Sequence, residues 1–330
     1  MLRISIGVIC FFVLGPILHA QEVFTRTVKL MGSRFDITVV ANDEEQGDLY
    51  IDQAISEVER IERLISSWDS ASQTASVNRM AGKSPVKVDS ELFQLIERSI
   101  VISKLTSGAF DITYASMDKI WFFDGTMTQI PDSIEVARSV ESVGYENILL
   151  NKEDTTVFLA KPRMKIGFGA IGKGYAADKA KKLLQSEGVV GGIINASGDM
   201  NTWGEQPDGS LWKVAITNPM NKNVAFGTFP ISNRAVVTSG DYEKFIDLDG
   251  QRFSHIINPK TGYPATGLIS VSVFAPKAEL ADALATAIFV MGKDAGISLV
   301  DQLPDVDCVL ISDKGELFYS NQIKIDQNTP

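Results

Sequence analysis

The sequence predicts an α+β protein, and three observations support this fold class. Hydrophobic residues make up 45% of the 330 residues, enough to bury a large core in one big domain or two closely packed lobes. In the second half of the chain, strand-like segments follow one another instead of alternating strictly with helices. No repeat, low-complexity tract or flexible linker divides the chain. We therefore expect one domain over residues 21–330.

The first half of the chain predicts two strands followed by two amphipathic helices. Thr25–Met31 and Ser33–Val40 are expected strands joined at Gly32. Apolar residues recur at helical spacing between Ile51 and Ile65, and again over Leu92–Leu105.

The second half predicts more strands than helices. Helices are expected at Gly174–Glu187, with Gly188 at its C-terminus, and at Ala278–Met291. The expected strands are Thr155–Ala160, Val189–Asn195, Leu211–Thr217, Ala235–Ser239, Arg252–Ile257 and Ile269–Ala275. A last hairpin is expected from Val306–Ser312 and Glu316–Ser320.

The N-terminus predicts export. Arg3 precedes a mostly apolar run from Ile4 to Leu18, and Ala20 offers a small residue at a cleavage point. The run is too short to cross a bilayer comfortably, so residues 1–20 are expected to be a cleaved signal peptide and the mature chain to be periplasmic. An uncleaved N-terminal anchor stays an alternative. Cys10 follows Ile9 and not a small residue, which argues against a lipid anchor.

Charge and rare residues exclude some function classes. The net charge of −10 disfavours nucleic-acid binding, which needs a basic surface. Cleavage would leave Cys308 and His255 as the last cysteine and histidine, so a zinc site built from Cys and His ligands is excluded. Cys308 lies in a strand-like run and is expected to be a core residue.

Asp282 and Thr286 stand four residues apart in an Ala-rich helical pattern. Side chains at this spacing share one face of a helix, so a carboxylate and a hydroxyl point the same way. Two hard oxygen ligands suit Mg²⁺, which completes its shell with water and substrate phosphates. The alternative is an ordinary amphipathic helix whose small polar residues merely face a crevice.

Residues Gly167 to Gly172 match the pattern G-x-G-x-x-G. Taken literally, this pattern predicts a dinucleotide-binding turn at a helix N-terminus. The preceding strand is short and interrupted near Pro162, and no strand about 20 residues later ends in an acid, so a Rossmann domain is disfavoured. A Gly-rich turn that carries Lys173 remains a good cradle for a diphosphate.

Several motifs in one order resemble the ApbE family, from about Met31 to the C-terminus. They are MGSRFDITV, SSWDSASQTASVNRM, SGAFDIT, GFGAIGKGYAADKA, INASGDM, WKVAITNP, VTSGDYEKF, HIINPKTGYPA and ADALATA. The resemblance implies a T-fold-related α+β protein with ApbE-like mixed sheets. It also implies an FAD:protein FMN transferase of the bacterial envelope, which moves FMN to a Thr or Ser of a partner and releases AMP.

The resemblance also implies site residues. Mg²⁺ would be bound by the carbonyl of Ala170 and the side chains of Asp282 and Thr286. The positions that match the FAD site are Met31, Trp68, Ala109, Phe110, Asp111, Gly167, Lys173, His255 and Ile256. Asn195, Gly198 and Asp199 match a motif that shapes the pocket, although a plain turn at a strand end explains them as well.

Two positions depart from the family pattern. Gly167 stands where many relatives carry an acidic residue, so a flavin contact from a side chain is in doubt there. The segment Ser70–Ser76 replaces the common S-E-x-S-x-x-N pattern, of which only Asn78 remains.

The implied mechanism leaves the general base open. His255 is one candidate because an imidazole ordinarily titrates near neutral pH, and Asp282 or Asp111 are alternatives. The acceptor is expected to be a protein near the inner membrane with a D-G-x-[ST]-G-[AT]-like motif. Two other functions stay open: a periplasmic FAD pyrophosphatase that gives FMN and AMP, and a flavin-binding protein without turnover.

Overall fold

A computed structural model describes residues 21–241, 244–248 and 250–323, with only the backbone at 221–225. The predicted signal peptide lies outside this range. Within the described range, the α-helices are α1 Glu44–Ile65, α2 Gln73–Arg79, α3 Ser90–Leu105, α4 Ser133–Ser139, α5 Gly172–Ser186, α6 Ala278–Met291 and α7 Lys293–Val300. None of these described helices is both long and apolar enough to span a bilayer.

Eight of the strands form the main sheet, in the order β1-β2-β6-β7-β10-β13-β14-β15. They are β1 Glu22–Leu30, β2 Ser33–Ala41, β6 Gly192–Ala196, β7 Asp199–Trp203, β10 Ala235–Gly240, β13 Leu268–Ala275, β14 Asp307–Ser312 and β15 Leu317–Tyr319. Each neighbouring pair is antiparallel. The α+β prediction is therefore confirmed, because a doubly wound dinucleotide fold needs parallel strands joined by crossover helices.

The remaining strands form three small sheets. They pair as β3 Val86–Lys87 and β4 Ile148–Asn151 on either side of β5 Thr156–Leu159, as β8 Trp212–Asn218 with β9 Asn221–Ile231, and as β11 Phe245–Leu248 with β12 Gln251–Ser254. The sequence patterns indicated β5, β8 and β12 but not their partners.

The main sheet buries both faces. Helices α1, α5 and α6 cover one face, and the β8–β9 hairpin covers the other. Val236 and Val237 are successive residues of β10 whose side chains enter the two different apolar clusters, as the alternation of a strand requires. The sheet thus fixes α5 and α6 side by side on one surface.

The backbone is irregular after β12, where we expected the strand to continue. We expected a strand over Arg252–Ile257, but β12 ends at Ser254, so this prediction is wrong for its last residues. The Ile256 N–H donates to Oγ of Ser254 at 3.0 Å, and such a local side-chain bond competes with a strand ladder. His255 therefore lies on an irregular segment.

Candidate active site

The N-terminus of α5 follows the glycine-rich turn and has no cap from its own flank. The carbonyl of Phe168 accepts from the Gly172 N–H at 2.6 Å, which closes the turn. Ile171 occupies the position before the helix and offers no side-chain acceptor. The next N–H groups of α5, those of Lys173 and Gly174 at the positive end of the helix dipole, thus need acceptors from elsewhere.

Gly174 brings α5 against α6 at van der Waals distance. A Cβ atom at Gly174 would lie 2.2 Å from the carbonyl oxygen of Ala278 and 2.9 Å from Cβ of Asp282. Any larger residue would force the two helices apart. The contact lets the Gly174 N–H donate to Oδ2 of Asp282 at 3.0 Å.

Helix α6 is likewise capped by a side chain of α5. Lys277, which precedes α6, makes no side-chain cap. Asp178 of α5 supplies one: Oδ1 accepts from the Ala278 N–H and Oδ2 from the Glu279 N–H, both at 2.9 Å. Burial raises the pKa of Asp178 to about 6. Each helix is therefore capped by a carboxylate of the other helix, a reciprocal pair.

The reciprocal pair leaves two oxygen atoms at the α5 end available. The Gly174 N–H would ordinarily donate to the carbonyl of Ala170, four residues earlier, but donates to Asp282 instead. Oδ1 of Asp282 takes part in none of the hydrogen bonds that the described residues form with this carboxylate. A carbonyl and a carboxylate oxygen are thus placed where a cation can use them.

Thr286 lies one turn after Asp282 on α6 and faces strand β10. Its Oγ1 is 3.2 Å from Oγ of Ser239. Ser239 was not among the predicted site residues, since nothing in its local pattern separates it from other strand serines. The two hydroxyls extend the oxygen-rich face from α6 to the sheet.

The charge balance at this place is negative. Asp282 is 4% exposed, and burial raises its pKa against the opposing charge of Lys173 and the Gly174 N–H. Lys173 also forms an ion pair with the buried carboxylate of Asp199. Lys173 is thus one cation opposite two buried carboxylates at this place. Burying a charge costs free energy unless an opposite charge compensates it.

The residues present fit a hard divalent cation. In the described part of the chain, no three His, Cys, Asp or Glu side chains form a metal-binding cluster. Asp282, Thr286 and the Ala170 carbonyl instead offer one carboxylate and two neutral oxygens. That set suits Mg²⁺, which keeps positions for water and substrate phosphates.

Two predicted flavin contacts, Met31 and Trp68, differ in how they relate to this region. Met31 has a left-handed φ of 49°, and its methyl group would be 3.7 Å from a Cβ atom at Gly172, so it borders the start of α5. Trp68 follows α1 and is 95% exposed, which leaves its ring faces open for stacking. Their contact with FAD stays a prediction.

Ala109, Phe110 and Asp111 are buried, and Asp111 has a structural task. Its Oδ1 accepts from the N–H and the hydroxyl of Thr113 at 2.7 and 2.6 Å, and its Oδ2 from the Tyr145 N–H at 2.9 Å. Burial raises the pKa of Asp111. With both oxygens occupied, this carboxylate is poorly placed to accept a proton from a substrate.

His255 lies beyond the end of β10, which carries Ser239. Its Nδ1 is 3.0 Å from the carbonyl oxygen of Lys244, and its ring packs edge-on against Phe123 at 6.5 Å. The charge of His255 acts on Asp241, the residue after β10. The neighbouring Ile256 is half-buried, and its carbonyl accepts from the Ala265 N–H at 2.8 Å.

The Asn195 motif forms the turn between β6 and β7. Oδ1 of Asn195 accepts from the Gly198 N–H at 2.8 Å, and Gly198 has a φ of 99°, which favours glycine. The turn also presents Asp199 to Lys173. Asn195 and Gly198 therefore act on the site through the placement of Asp199.

Asp178 and Tyr114 were also not among the predicted site residues. The sequence does indicate that α6 needs a cap from another segment, because Lys277, the residue before the helix, has no side-chain acceptor. Asp178 is that cap. Tyr114 is in contact with the glycine-rich turn, where its hydroxyl accepts from the Gly169 N–H at 3.2 Å. Nothing in the local sequence predicts that contact.

Together, the described residues form an antiparallel α+β protein in which α5 and α6 cap each other through the buried carboxylates of Asp178 and Asp282. The model of the ApbE family matches residues 31–310, and the chain belongs to that family. The structure is similar to the crystal structure of the ApbE protein from Thermotoga maritima, with a TM-score of 0.82, 29% identity, and coverage of 91% of this chain and 97% of that one.

Two similar sequences are both named FAD:protein FMN transferase. The one from Klebsiella pneumoniae (strain 342) is 28% identical over 303 residues, which cover 91% of this chain and 93% of that protein. The one from Treponema pallidum (strain Nichols) is 31% identical over 276 residues, covering 79% and 76%. The similarity thus extends over most of each chain.

Proposed function

We propose that this protein is a Mg²⁺-dependent FAD:protein FMN transferase, which moves FMN from FAD to a Thr or Ser hydroxyl of an acceptor protein. The observation that carries the proposal is the half-used carboxylate of Asp282, beside Thr286 and the Ala170 carbonyl at the N-terminus of α5. Relatives named FAD:protein FMN transferase supply the substrate class.

The site has means of holding the diphosphate of FAD. The Ala170 carbonyl, Asp282 and Thr286 would hold Mg²⁺, which when bound neutralises phosphate oxygens and so stabilises the transition state. The N-terminus of α5 and Lys173 add positive potential on the same side. The site side chains themselves carry more negative than positive charge, so the bound cation, together with the end of α5, would supply the positive potential that an anionic substrate needs.

The transfer breaks the phosphoanhydride bond of FAD and forms one phosphoester bond to the acceptor. The acceptor hydroxyl oxygen bonds to the FMN-side phosphorus, the bond from that phosphorus to the bridging oxygen breaks, and AMP leaves with the electron pair. The hydroxyl proton needs a base. We assign it to Nε2 of His255, because Nδ1 at 3.0 Å from the Lys244 carbonyl is the nitrogen placed to carry the hydrogen.

We further propose that the protein works in the periplasm on acceptors near the inner membrane. The apolar run from Ile4 to Leu18 supports export. The acceptor would present a D-G-x-[ST]-G-[AT]-like segment. N-terminal sequencing of the protein from a periplasmic fraction tests the export step: we expect Gln21 as the first residue, and an N-terminal Met1 would contradict cleavage.

One experiment separates the candidate functions. The purified protein is incubated with FAD and Mg²⁺, together with an acceptor domain or with a variant in which Ala replaces the acceptor Thr or Ser. Transfer predicts in-gel flavin fluorescence on the first acceptor only, with AMP released in equal amount. AMP release without labelling would indicate a pyrophosphatase, and neither product with bound FAD would indicate a flavin-binding protein.

The same assay tests the base. Removal of a general base ordinarily lowers the rate by roughly 10²–10⁴-fold, so His255→Ala is expected to lose transfer to that extent while FAD affinity stays within a few-fold. Asp111→Asn tests the alternative base: both Asp111 oxygens already accept hydrogen bonds, so this variant is expected to lose less transfer than His255→Ala. A fully active His255→Ala would remove this histidine from the chemistry.

A further inference from the structure

Tyr114 lies directly over the glycine-rich turn that leads into α5. It belongs to the 3₁₀ turn Ile112–Ser116, and its hydroxyl accepts from the Gly169 N–H at 3.2 Å. A Cβ atom at Gly169 would lie only 2.4 Å from the Tyr114 hydroxyl oxygen, and one at Gly167 would lie 3.5 Å from it. The two glycines therefore make the space that this hydroxyl occupies.

The hydroxyl still has its hydrogen to donate. Among the hydrogen bonds of the described residues, Tyr114 accepts one from Gly169 and donates none. Burial raises the pKa of Tyr114, and the nearby charge of Asp282 raises it further, so the group stays protonated and remains a donor at neutral pH. A partly buried donor without an acceptor is costly unless a ligand supplies one.

The position of this donor matches the ligand proposed for the site. Gly169 immediately precedes Ala170, whose carbonyl belongs to the proposed metal set, and the charge of Asp282 acts on the Tyr114 ring. An anionic oxygen bound between the N-terminus of α5 and the cation would lie within the same small region. The chemistry of the surroundings thus points to a phosphate oxygen as the missing acceptor.

We infer that the Tyr114 hydroxyl donates a hydrogen bond to a diphosphate oxygen of the nucleotide substrate. The inference rests on the proposed function, since it takes the ligand of the glycine-rich turn to be a dinucleotide diphosphate. Gly167 also packs closely here: a Cβ atom there would lie 3.0 Å from Cβ of Ala115, the residue after Tyr114.

Binding of three ligands tests the inference. Calorimetric titrations with FAD, ADP and riboflavin are made on the wild type and on Tyr114→Phe, which keeps the ring and removes the hydroxyl. Affinity for FAD and ADP is expected to fall about 10–100-fold, the range for a hydrogen bond to a charged group, while riboflavin, which has no phosphate, binds unchanged. The matched control is Tyr175→Phe, whose hydroxyl donates to Glu91 at 2.8 Å instead; it should bind all three like the wild type.

A second variant moves the hydroxyl without removing it. Gly169→Ala places a methyl group 2.4 Å from the hydroxyl oxygen, so it should weaken ADP binding in the wild type. In the Tyr114→Phe background, the same change should add little, since the ring carbon that bears the hydroxyl is 3.5 Å away. Additive losses in the double variant would contradict a shared role.

The outcomes separate the two proposals. Unchanged FAD and ADP affinity in Tyr114→Phe overturns the inference, and so does an equal loss for riboflavin, which would indicate that the tyrosine acts only on ring packing. If Tyr114→Phe loses diphosphate affinity but the wild type neither transfers nor hydrolyses FAD, the inference stands and the proposed function fails.

Discussion

The two carboxylates of the reciprocal pair, Asp178 and Asp282, have the same place in the fold and different surroundings. Each belongs to one of two packed helices and accepts from N–H groups at the start of the other. Asp178 accepts from three donors, the third being the side-chain amide of Asn201 at 2.6 Å. Asp282 accepts from one donor within the described residues.

We propose that this difference separates a structural acid from a functional one. Both helix ends need a cap, and Asp178 meets that need with both oxygens. Asp282 meets it with one oxygen, and its second oxygen accepts no hydrogen bond within the described residues. Burial raises the pKa of both acids, so neither is fully compensated by protein donors. We propose that a cation at Oδ1 of Asp282 relieves that cost, because this oxygen accepts no hydrogen bond among the described residues.

The largest expected effect is on activity at Asp282. Asp282→Ala removes the side-chain anion of the proposed metal set, so FMN transfer is expected to fall about 10³-fold, the scale of several kcal/mol of lost charge stabilisation. The melting temperature should change little, because one N–H loses its acceptor while an uncompensated buried acid is removed. Rates with FAD and circular-dichroism melts measure the two quantities.

The proposed difference between the two acids would be wrong if loss of Asp178 lowered activity as much as loss of Asp282. Asp178→Ala is the matched variant, and it should keep more activity than Asp282→Ala at a temperature where both proteins are folded. Equal activity losses in two folded variants would show that the two acids do not differ in function.

A second effect is on stability and its pH dependence. Asp178→Ala leaves two N–H groups of α6 without a cap, which costs about 2 kcal/mol at pH 7. The pKa of Asp178 is raised from 3.8 in the unfolded chain to about 6, so the folded state holds more protons between these values and its stability falls as pH rises through them. The cost of Asp178→Ala should therefore grow toward pH 4, by up to about 3 kcal/mol.

Urea unfolding at several pH values measures this dependence as the difference between wild type and Asp178→Ala. The difference cancels the titration of other acids, such as Glu91, whose pKa is lowered to about 2 chiefly by its hydrogen bond with Arg60. A cost that is constant from pH 4 to pH 7 would show that the carboxyl of Asp178 is not perturbed.

The smallest effect is expected at Thr286. Thr286→Val keeps the β-branched shape and removes one neutral oxygen, so the Mg²⁺ concentration for half-maximal transfer should rise about 10-fold, with full activity restored at high Mg²⁺. Ser239→Ala is the control, because it removes the hydroxyl 3.2 Å from Thr286 and leaves the threonine oxygen in place. If both variants need the same Mg²⁺ as the wild type, Thr286 only packs against β10.

The sequence predicted what is local and missed what is distant. Asp282 and Thr286 were found because their spacing on one helix is visible in the chain itself. The bonds from Ala278 to Asp178, from Gly169 to Tyr114 and from Ser239 to Thr286 span 100, 55 and 47 residues, and no periodicity reports such pairs. The glycine pattern of Gly167 to Gly172 also fits two folds, and only the antiparallel sheet decides between them.

Direct Mg²⁺ binding tests the central claim, that Asp282 is the acid of the pair that holds a cation. Calorimetric titration of Mg²⁺ into nucleotide-free protein compares the wild type with Asp282→Asn and Asp178→Asn, which have the same change in charge. We expect Asp178→Asn to bind Mg²⁺ like the wild type, and Asp282→Asn to bind at least about 10-fold more weakly, as expected from the loss of an anionic ligand. Wild-type affinity in folded Asp282→Asn would contradict the account.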